Sequence, residues 1–510
     1  MIPNLKSITM KKCVFYVLTL FALGSCSREE IQTNQVEAEI IQTDPLSARQ
    51  INEQINETTK TKGRFSWNEA SSHFLWSGII QGNKIASIGF GDSKDDFDRS
   101  KSSNSEALQN EILEVIKQYE GNKERVLMAS DEYLNQIDVY IEKQETVIAL
   151  RKLKSIRYFE PADYRYFENE NKINGASAKS SSSSSGCGLE STALNASDYT
   201  TVSPNAKAPW SFAKHNITSA WNYSTGSGVT IGLIDSGVSF NQSLLSGSFN
   251  NGLSSGRTIS KNGVYVDSVW PWSSGYDGAD DKCGHGTSMA SAMAAPRNNQ
   301  GQPVGVAYNA NLISYRAASN VVLDGYHEQE GVKIAFTNLA NTTSVKIISM
   351  SMGHIFSVGK IEDGVKYAYS KGKLIFCAGG TSTNFTTFVG VIFPAWMSET
   401  QAITGVKENT SNQKCDVCHS GSEIDFTYQM ERSSGNNIPV LSYYNGQTDY
   451  VGGSSVATAS TAGIAALVWS KNPSWTREQV LNKMRQSATY YPTKNADYGY
   501  GNINVLQAVQ

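Results

Sequence analysis

The sequence has no excess of basic charge, few prolines and no internal repeat. These absences limit the classes of protein and of binding partner that the sequence is compatible with. Lysine and arginine total 44 against 47 aspartate and glutamate, a net charge of −3, so nothing favours a nucleic-acid partner. Only 12 of the 510 residues are proline, whereas 42 are glycine. The lack of a repeat excludes solenoids and propellers. The composition is typical of a turn-rich, extracytoplasmic protein. The length of 510 residues predicts two or three folded units.

The N-terminus carries the pattern of an export signal. Lys11 and Lys12 precede an apolar stretch at residues 13–23, which is too short to span a bilayer permanently. Its last residue, Leu23, begins the sequence Leu-Gly-Ser-Cys (23–26), and this pattern resembles the bacterial lipoprotein signal with Cys26 as its cysteine. The resemblance implies removal of residues 1–25, acylation of Cys26 and anchoring at the bacterial outer membrane or cell surface. A plain secretory signal with an incidental cysteine is the alternative.

Composition divides the rest of the chain into four segments. Residues 26–64 are polar and predict a flexible tether. Residues 65–167 contain helix and strand patterns, and residues 190–510 alternate apolar runs with helical segments. Between them, residues 168–189 form a predicted linker with consecutive serines from Ser180 to Ser185. The sequence therefore predicts a smaller and a larger folded domain.

The smaller domain has the pattern of an α+β fold. Residues 105–120 place apolar side chains on one helical face, and residues 137–141 alternate apolar and polar side chains as a half-buried strand does. Together with a strand near residues 79–90, a second helix at 143–155 and a closing strand at 156–164, these patterns suggest a unit of the β-α-β-β-α-β type. This order predicts a ferredoxin-like domain.

In the larger domain, three polar side chains of complementary chemistry occupy separate motifs. Apolar runs such as VTIGLI (229–234) and VKIISM (345–350), separated by helices, predict an α/β fold with a parallel sheet covered on both faces. Asp235 ends the first run, His285 precedes a run of small residues, and two serines lie in VGGSSVATASTAG (451–463). Functional sites in such folds gather at the carboxyl ends of the strands. A carboxylate, an imidazole and a hydroxyl are the parts of nucleophilic acyl transfer.

These three motifs resemble those of the subtilisin-like serine proteases (the subtilase, or S8, family) in order and in local sequence. LIDSG, HGTSMAS and GSSVATA correspond to the family patterns V-I-D-[ST]-G, H-G-T-H-V-A-G and G-T-S-M-A-[ST]-P. The resemblance covers about residues 190–510 and implies a three-layer subtilisin-like domain. It also implies Asp235 as the orienting carboxylate, His285 as the general base and Ser455 as the nucleophile of a serine endopeptidase. Ser454 takes the position of the family's threonine.

The same resemblance implies where a substrate binds. SMSMG (349–353) resembles the segment that pairs with the substrate backbone as an added β-strand. Ser351, Met352 and Gly353 are therefore expected to line the primary specificity pocket. A second edge is expected near residues 321–323.

One expected catalytic group is missing from its usual position. The family supplies a second oxyanion donor from the asparagine of A-[AG]-G-N, and CAGGTSTN (377–384) places Gly380 where that asparagine belongs. Thr381, Asn384 or a backbone N–H near Gly380 are the candidate replacements. Loss of such a donor costs about 10²- to 10³-fold in turnover. This departure supports the alternative of a catalytically impaired surface lipoprotein that binds peptides.

The resemblance also implies a role for the smaller domain. Residues 65–167 resemble the family's inhibitory propeptide, which assists folding, blocks the cleft and is cut away, here near residues 168–187. The expected partners are protein or peptide substrates, the chain's own propeptide and a membrane. No cofactor is expected. The acidic run DGADD (277–281) is either a solvated turn or a cation site, such as one for structural calcium.

Of the seven cysteines, five follow Cys26, and this odd number leaves at least one thiol free in an oxidising compartment. Cys377, within the apolar run KLIFCAGG, is the expected free thiol. CDVCH (415–419) matches the c-type haem attachment motif. A loop that contains a disulfide, or half of a zinc site, is the alternative interpretation.

Overall fold

The computed structural model of the protein describes residues 41–42, 44–121, 126–173, 186–382, 389–409 and 413–510. The predicted signal peptide, Cys26, the serines 180–185 and Asn384 lie outside the described residues. Within the described ranges, no helix is both long enough and apolar enough to cross a membrane.

The strands are numbered in chain order as β1 (Ile85–Phe90), β2 (Leu127–Ser130), β3 (Gln136–Tyr140), β4 (Ile156–Pro161), β5 (Tyr199–Val202), β6 (Ala206–Pro209), β7 (Thr230–Asp235), β8 (Ile259–Gly263), β9 (Asn311–Arg316), β10 (Val345–Met350), β11 (Leu374–Ala378), β12 (Thr400–Lys407), β13 (Ile424–Glu431), β14 (Ile438–Leu441) and β15 (Thr448–Val451). The α-helices are α1 (Ala48–Lys62), α2 (Ser72–Gln81), α3 (Ser105–Glu120), α4 (Gln144–Leu150), α5 (Tyr166–Ile173), α6 (Ser211–Lys214), α7 (Ile217–Ala220), α8 (His285–Ala294), α9 (Tyr326–Asn341), α10 (Gly359–Ser370), α11 (Gly453–Lys471), α12 (Arg477–Gln486) and α13 (Val505–Val509).

A seven-stranded parallel sheet forms the centre of the larger domain, as the apolar runs predicted. Its strands lie in the order β13-β12-β11-β10-β7-β9-β8, and neighbouring strands pair in parallel. The strands β7 and β11 are buried along their whole length. Their continuous apolar sequence follows from this burial, because helices cover both faces of the sheet.

Side chains alternate between the two faces of this sheet, and each face has its own core. Ile231 and Leu233 of β7 belong to a core that includes residues of α8 and α11. Ile234 belongs to the opposite core, which includes residues of α9 and α10. The larger domain is therefore a three-layer α/β domain, as the sequence predicted.

The smaller domain has the predicted β-α-β-β-α-β order, formed by β1, α3, β2, β3, α4 and β4. Its strands pair antiparallel in the order β2-β3-β1-β4. The helix predicted at residues 105–120 is α3, and its Ile112 and Ile116 are fully buried in the core of this domain. The alternating strand predicted at residues 137–141 lies at β3.

Two boundaries of the predicted flexible segments are wrong. Helix α1 lies within the predicted tether, residues 26–64, and it buries Ile51 and Ile55 in the core of the smaller domain. Few apolar side chains of α1 face that core, so the polar composition of the segment concealed the helix. Helix α5 likewise continues into the predicted linker, residues 168–189, and Tyr166 at its start is fully buried.

The smaller domain lies on α9 and α10, and both domains belong to one compact unit spanning Ile41–Gln510. Lys360 Nζ of α10 lies 2.9 Å from Asp138 Oδ2 of β3, and Lys333 Nζ of α9 lies 2.6 Å from Asp131 Oδ2. Both lysine side chains are at most 3% exposed. Because charges this deeply buried require partners, these ion pairs make the contact between the domains specific.

Candidate active site

The strands β7, β10 and β11 are neighbours in the parallel sheet, and the segments that follow them form the candidate site. Strand β7 ends at Asp235, β10 is followed by residues 351–353, and β11 is followed by residues 379–381. Helix α8 begins at His285 and α11 begins at Gly453. Parallel strands end at a common edge, so residues far apart in sequence meet there.

Asp235 and His285 are directly hydrogen-bonded. His285 Nδ1 lies 2.7 Å from Asp235 Oδ1, and the Ser236 N–H donates to the same oxygen at 2.8 Å. An ionised carboxylate only accepts hydrogen bonds, so Nδ1 carries the proton and Nε2 is the basic nitrogen. Burial lowers the pKa of His285, but the charge and hydrogen bond of Asp235, together with the charge of Asp281, raise this pKa above its ordinary value.

The Asp281 carboxylate caps the N-terminus of α8, a role that the sequence did not predict. Its carboxylate accepts hydrogen bonds of 2.6 to 2.9 Å from Ser236 Oγ, the N–H groups of Cys283, Gly284 and Thr287, and the Thr287 hydroxyl. These bonds satisfy otherwise unpaired groups at the helix terminus and so position His285, the first residue of α8. Asp281 is fully buried, so a solvated turn is the wrong interpretation for this residue. An aspartate shortly before the predicted helix start is the signal that indicates a cap.

Ser454 and Ser455 have different environments at the start of α11. Ser454 is 1% exposed, and its Oγ accepts a hydrogen bond from the Gly380 N–H at 3.2 Å. Ser455 is half-buried and lines a cavity of about 300 Å³ together with His285. Among the described residues, no hydrogen bond joins Ser455 Oγ to the imidazole. Of the two serines, Ser455 is thus the more accessible from the cavity.

The expected substrate-binding residues Ser351, Met352 and Gly353 line the same cavity. Ser351 Oγ also donates a hydrogen bond to the Ser455 carbonyl at 3.1 Å. The structure therefore brings together the segments that follow β7, β10 and β11 with the first turns of α8 and α11.

The two segments that were expected to pair with a substrate backbone, residues 351–353 and 321–323, instead pair with each other. The sequence did not predict this pairing. The Gly353 N–H donates to the Val321 carbonyl at 3.1 Å, and the Leu323 N–H donates to the Gly353 carbonyl at 3.3 Å. Both backbone groups of Gly353 are therefore occupied, as buried backbone groups need partners. A substrate backbone can pair with Gly353 only after the two edges separate.

Helix α5 of the N-terminal part of the chain reaches this cavity. Phe167 lines it, and the Phe167 ring centroid lies 5.3 Å from that of His354. The carboxylate of Asp324 caps the helix by accepting the N–H groups of Phe167 at 2.9 Å and Glu168 at 2.8 Å. The helix thus connects the smaller domain to the loop that carries one substrate edge.

A second segment, beginning at Gly186, passes beside His285. A Cβ atom on Gly186 would lie 3.4 Å from His285 Cδ2. The disulfide between Cys187 and Cys283 holds this segment, and the Gly188 N–H donates to the Cys283 carbonyl at 2.9 Å. The imidazole is therefore covered on one side by the C-terminal end of the predicted linker, residues 168–189.

Gly380 is not available as an oxyanion donor. It has no side chain to donate, and its backbone N–H already donates to Ser454 Oγ. Its φ of +126° is a conformation that favours glycine. Thr381 is exposed and lines the cavity, whereas Asn384 lies outside the described residues.

The cysteines outside the N-terminal segment form two disulfides and one free thiol. Cys415 and Cys418 are bonded to each other, so CDVCH is a closed loop and the haem interpretation is wrong. His419 Nδ1 lies 2.7 Å from the Gly390 carbonyl oxygen. Cys377 is free and buried, as predicted. In the part of the chain that the structure describes, no three His, Cys, Asp or Glu side chains are grouped as metal ligands.

Comparison with known proteins agrees with these observations. Residues 226–502 match the model of the Subtilase family. Subtilisin E of Bacillus subtilis is 33% identical over 235 residues, which cover 45% of this chain and 57% of that protein. Subtilisin BL of Lederbergia lenta is 27% identical over 304 residues, which cover 59% of this chain and 98% of that protein. The chain thus spans little more than half of the length of subtilisin E.

Among solved structures, a similar fold occurs in fervidolysin from Fervidobacterium pennivorans, a keratinolytic enzyme related to subtilisin. The TM-score is 0.57 at 14% sequence identity, and the match covers 84% of this chain and 61% of that chain. At this identity the likeness concerns the fold alone.

Proposed function

The chain belongs to the subtilase family, and from this premise we propose that it is a serine endopeptidase acting on protein or peptide substrates. The observation that carries the proposal is the 2.7 Å hydrogen bond between Asp235 and His285, at a cavity that Ser455 also lines. Catalytic hydrogen bonds are often long or poorly aligned before substrate binds and tighten in the complex, so the lack of a hydrogen bond between His285 and Ser455 is compatible with this function.

In the proposed reaction, Ser455 attacks the carbonyl carbon of the scissile peptide while His285 Nε2 takes the hydroxyl proton. The imidazolium then gives this proton to the leaving nitrogen, the C–N bond breaks, and an acyl-enzyme remains. Water, deprotonated by His285, attacks the acyl-enzyme and releases the second product. Asp235 keeps the proton on Nδ1 and stabilises the imidazolium in both steps.

The N-terminus of α11 supplies the first contact for the developing oxyanion. Gly452, the residue before the helix, provides no side-chain cap, and the first N–H groups of the helix have no carbonyl partner within it. The Ser455 N–H is one of these groups, and it belongs to the nucleophile itself. It is therefore well placed to stabilise the negative charge on the carbonyl oxygen.

We also propose that the smaller domain keeps the enzyme inactive until it is cut away near residues 168–187. The buried ion pairs with α9 and α10 and the position of Phe167 in the cavity support this role. In the chain that still carries the smaller domain, the Gly353 N–H is bonded to the Val321 carbonyl and is not free to pair with a substrate backbone. N-terminal sequencing of the mature protein tests the cut, and a product that begins only at Cys26 would contradict it.

The proposed precursor is exported and anchored by lipid on Cys26, and the cut near residues 168–187 would release the mature enzyme from this anchor. The basic and apolar N-terminal pattern supports export, and the disulfides Cys187–Cys283 and Cys415–Cys418 fit an oxidising compartment. Metabolic labelling with a radioactive fatty acid tests the anchor. Label is expected in the wild type and is expected to disappear in Cys26→Ala, whereas equal labelling would contradict it.

Hydrolysis of an internally quenched peptide library tests the proposed activity. Ser455→Ala and Asp235→Asn are expected to reduce turnover by about 10⁴-fold or more. Ser460→Ala, on the same helix as Ser455, is the matched control and should remain active. The alternative peptide-binding lipoprotein predicts that the wild type and Ser455→Ala hydrolyse equally slowly while both still bind peptide.

A further inference from the structure

We propose that the hydroxyl of Thr381 supplies the second oxyanion contact of this site, in place of the asparagine amide that the family uses. The proposal rests on the proposed endopeptidase function. It assigns a catalytic role to Thr381, because its hydroxyl would donate a hydrogen bond to the substrate carbonyl oxygen as negative charge develops there.

The backbone at Gly380 indicates that Thr381, rather than Gly380, corresponds to the asparagine. A Cβ atom on Gly380 would lie 2.4 Å from His419 Nδ1, and the φ of +126° at this residue is rarely adopted by other residues. Position 380 therefore requires glycine, as the third position of A-[AG]-G-N does. Residues 378–381 read A-G-G-T and match that pattern except at its last position. The alignment that puts Gly380 at the asparagine is thus one residue out of register.

Hydrogen bonds hold the Thr381 side chain at the first turn of α11. The Ser454 N–H donates to Thr381 Oγ1 at 3.2 Å, and the hydroxyl oxygens of the two residues lie 3.1 Å apart. A Cβ atom on Gly453 would lie 2.8 Å from Thr381 Oγ1, which shows how closely the hydroxyl approaches this turn. Thr381 therefore lies at the same helix terminus as Ser455, whose N–H is the first proposed donor.

A count of the donors and acceptors around Ser454 indicates that the hydroxyl proton of Thr381 is available to a ligand in the cavity. Ser454 is 1% exposed, and among the described residues Thr381 Oγ1 is the only acceptor that its hydroxyl contacts. Buried hydroxyls use an available acceptor, so Ser454 donates to Thr381. Thr381 Oγ1 then accepts two hydrogen bonds, which leaves its own proton unused. Since Thr381 is exposed and lines the cavity with Ser455, that proton is available to the substrate oxyanion.

Other nearby donors are already engaged. The Gly380 N–H donates to Ser454 Oγ, and Ser382 Oγ lies 3.1 Å from His419 Nε2. The backbone N–H of Thr381 and the side chain of Asn384 are the competing candidates. A substitution that removes only the Thr381 hydroxyl distinguishes it from both.

The test compares Thr381 variants of the processed enzyme on a fluorogenic peptide, with rates normalised by active-site titration. Thr381→Val keeps the shape of the side chain but lacks the hydroxyl, and it is expected to lower kcat by about 10²-fold with little change in KM. Thr381→Ser keeps a hydroxyl and is expected to stay within about tenfold of the wild type. Thr461→Val, which removes a buried hydroxyl elsewhere on α11, is the control and should leave kcat unchanged.

Inhibition by a peptide aldehyde separates oxyanion binding from a merely structural role. The aldehyde forms a hemiacetal with Ser455 that carries the oxyanion, so its inhibition constant is expected to rise in Thr381→Val in proportion to the loss of kcat. A normal inhibition constant, or a loss of kcat found in Asn384→Ala and not in Thr381→Val, would overturn the assignment. In those cases Ser455→Ala would still be inactive, so the proposed function would stand. Absence of Ser455-dependent hydrolysis in the wild type would instead refute the proposed function.

Discussion

At the scale of single residues, two buried carboxylates act on the imidazole of His285, one by a direct hydrogen bond and one by its charge. Asp235 bonds to the His285 ring, and Asp281 fixes the helix that His285 begins. Burial alone lowers the pKa of His285, but the two carboxylates outweigh it and raise this pKa. Since general-base catalysis needs the neutral imidazole, the rate should rise with pH as His285 loses its proton.

The pH dependence of kcat/KM tests the role of Asp281. The acid limb of the wild-type profile is expected to have its midpoint above the ordinary histidine value of about 6.5. Asp281→Asn removes one charge that raises the pKa of His285, so the midpoint should move to lower pH. The amide also leaves a donor of α8 unpaired, which should lower the free energy of unfolding by about 1–3 kcal/mol.

Asp280→Asn is the matched control for this experiment. Asp280 is adjacent in sequence, but its carboxylate accepts hydrogen bonds from the Phe240 N–H and the Tyr443 hydroxyl, neither of which belongs to α8. Its profile should overlay that of the wild type. An unchanged midpoint in Asp281→Asn would show that Asp281 acts on helix stability alone.

Sequence patterns predict the principal site residues because each lies at the boundary of a recognisable element. Asp235 ends a buried strand, and His285 and Ser455 lie in the first turns of helices rich in small residues. The role of Asp281 and the role proposed for Thr381 are harder to assign, because they depend on contacts between separate loops and on the backbone conformation at Gly380.

At the scale of secondary-structure elements, α5 links the smaller domain to the substrate cleft. Its N-terminal N–H groups are capped by Asp324, which follows the edge at residues 321–323. That edge in turn pairs with Gly353. Helix α5 is therefore connected through Asp324 to the segment that pairs with Gly353.

Removal of this cap should loosen α5. In the full chain carrying Ser455→Ala, which removes the proposed nucleophile, Asp324→Ala is expected to destabilise the helix by about 0.5–2 kcal/mol. Limited trypsin digestion, followed at Lys172 within α5, should then be faster. Asp497→Ala, at an exposed loop, is the control. Equal cleavage rates would contradict the role of Asp324.

The regular elements of the larger domain were predictable, whereas the closed cleft was not. Continuous apolar runs identify strands that are buried on both faces, as in β7 and β11. The pairing of Val321 with Gly353 joins two irregular segments far apart in the chain, and no periodic pattern indicates such a bond. Helix α1 was missed for a different reason, because its exposed faces are polar.

At the scale of the whole molecule, buried ion pairs hold the two domains together. Lys360 is 1% exposed and contacts Asp138 of the smaller domain and Glu330 of α9. Removing one partner of a buried ion pair leaves a charge insufficiently compensated, which typically costs about 3–5 kcal/mol. The domain contact should therefore be sensitive to single charge substitutions.

Urea denaturation of the Ser455→Ala full chain measures this contribution. Asp138→Asn is expected to lower the free energy of unfolding by about 3 kcal/mol or more. Glu114→Gln breaks an exposed pair with Lys117 and should change it by less than about 1 kcal/mol. If the two substitutions have equal effects, the buried pair does not stabilise the contact.

The most direct test of the whole account is covalent labelling of the mature protein with a fluorophosphonate, with the modified residue located by peptide mass mapping. Stoichiometric labelling is expected at Ser455, and it should fall to background in His285→Ala, because an unassisted serine hydroxyl is a poor nucleophile. Labelling at Ser454 instead, or labelling of Ser455 that does not depend on His285, would contradict the proposed catalytic site.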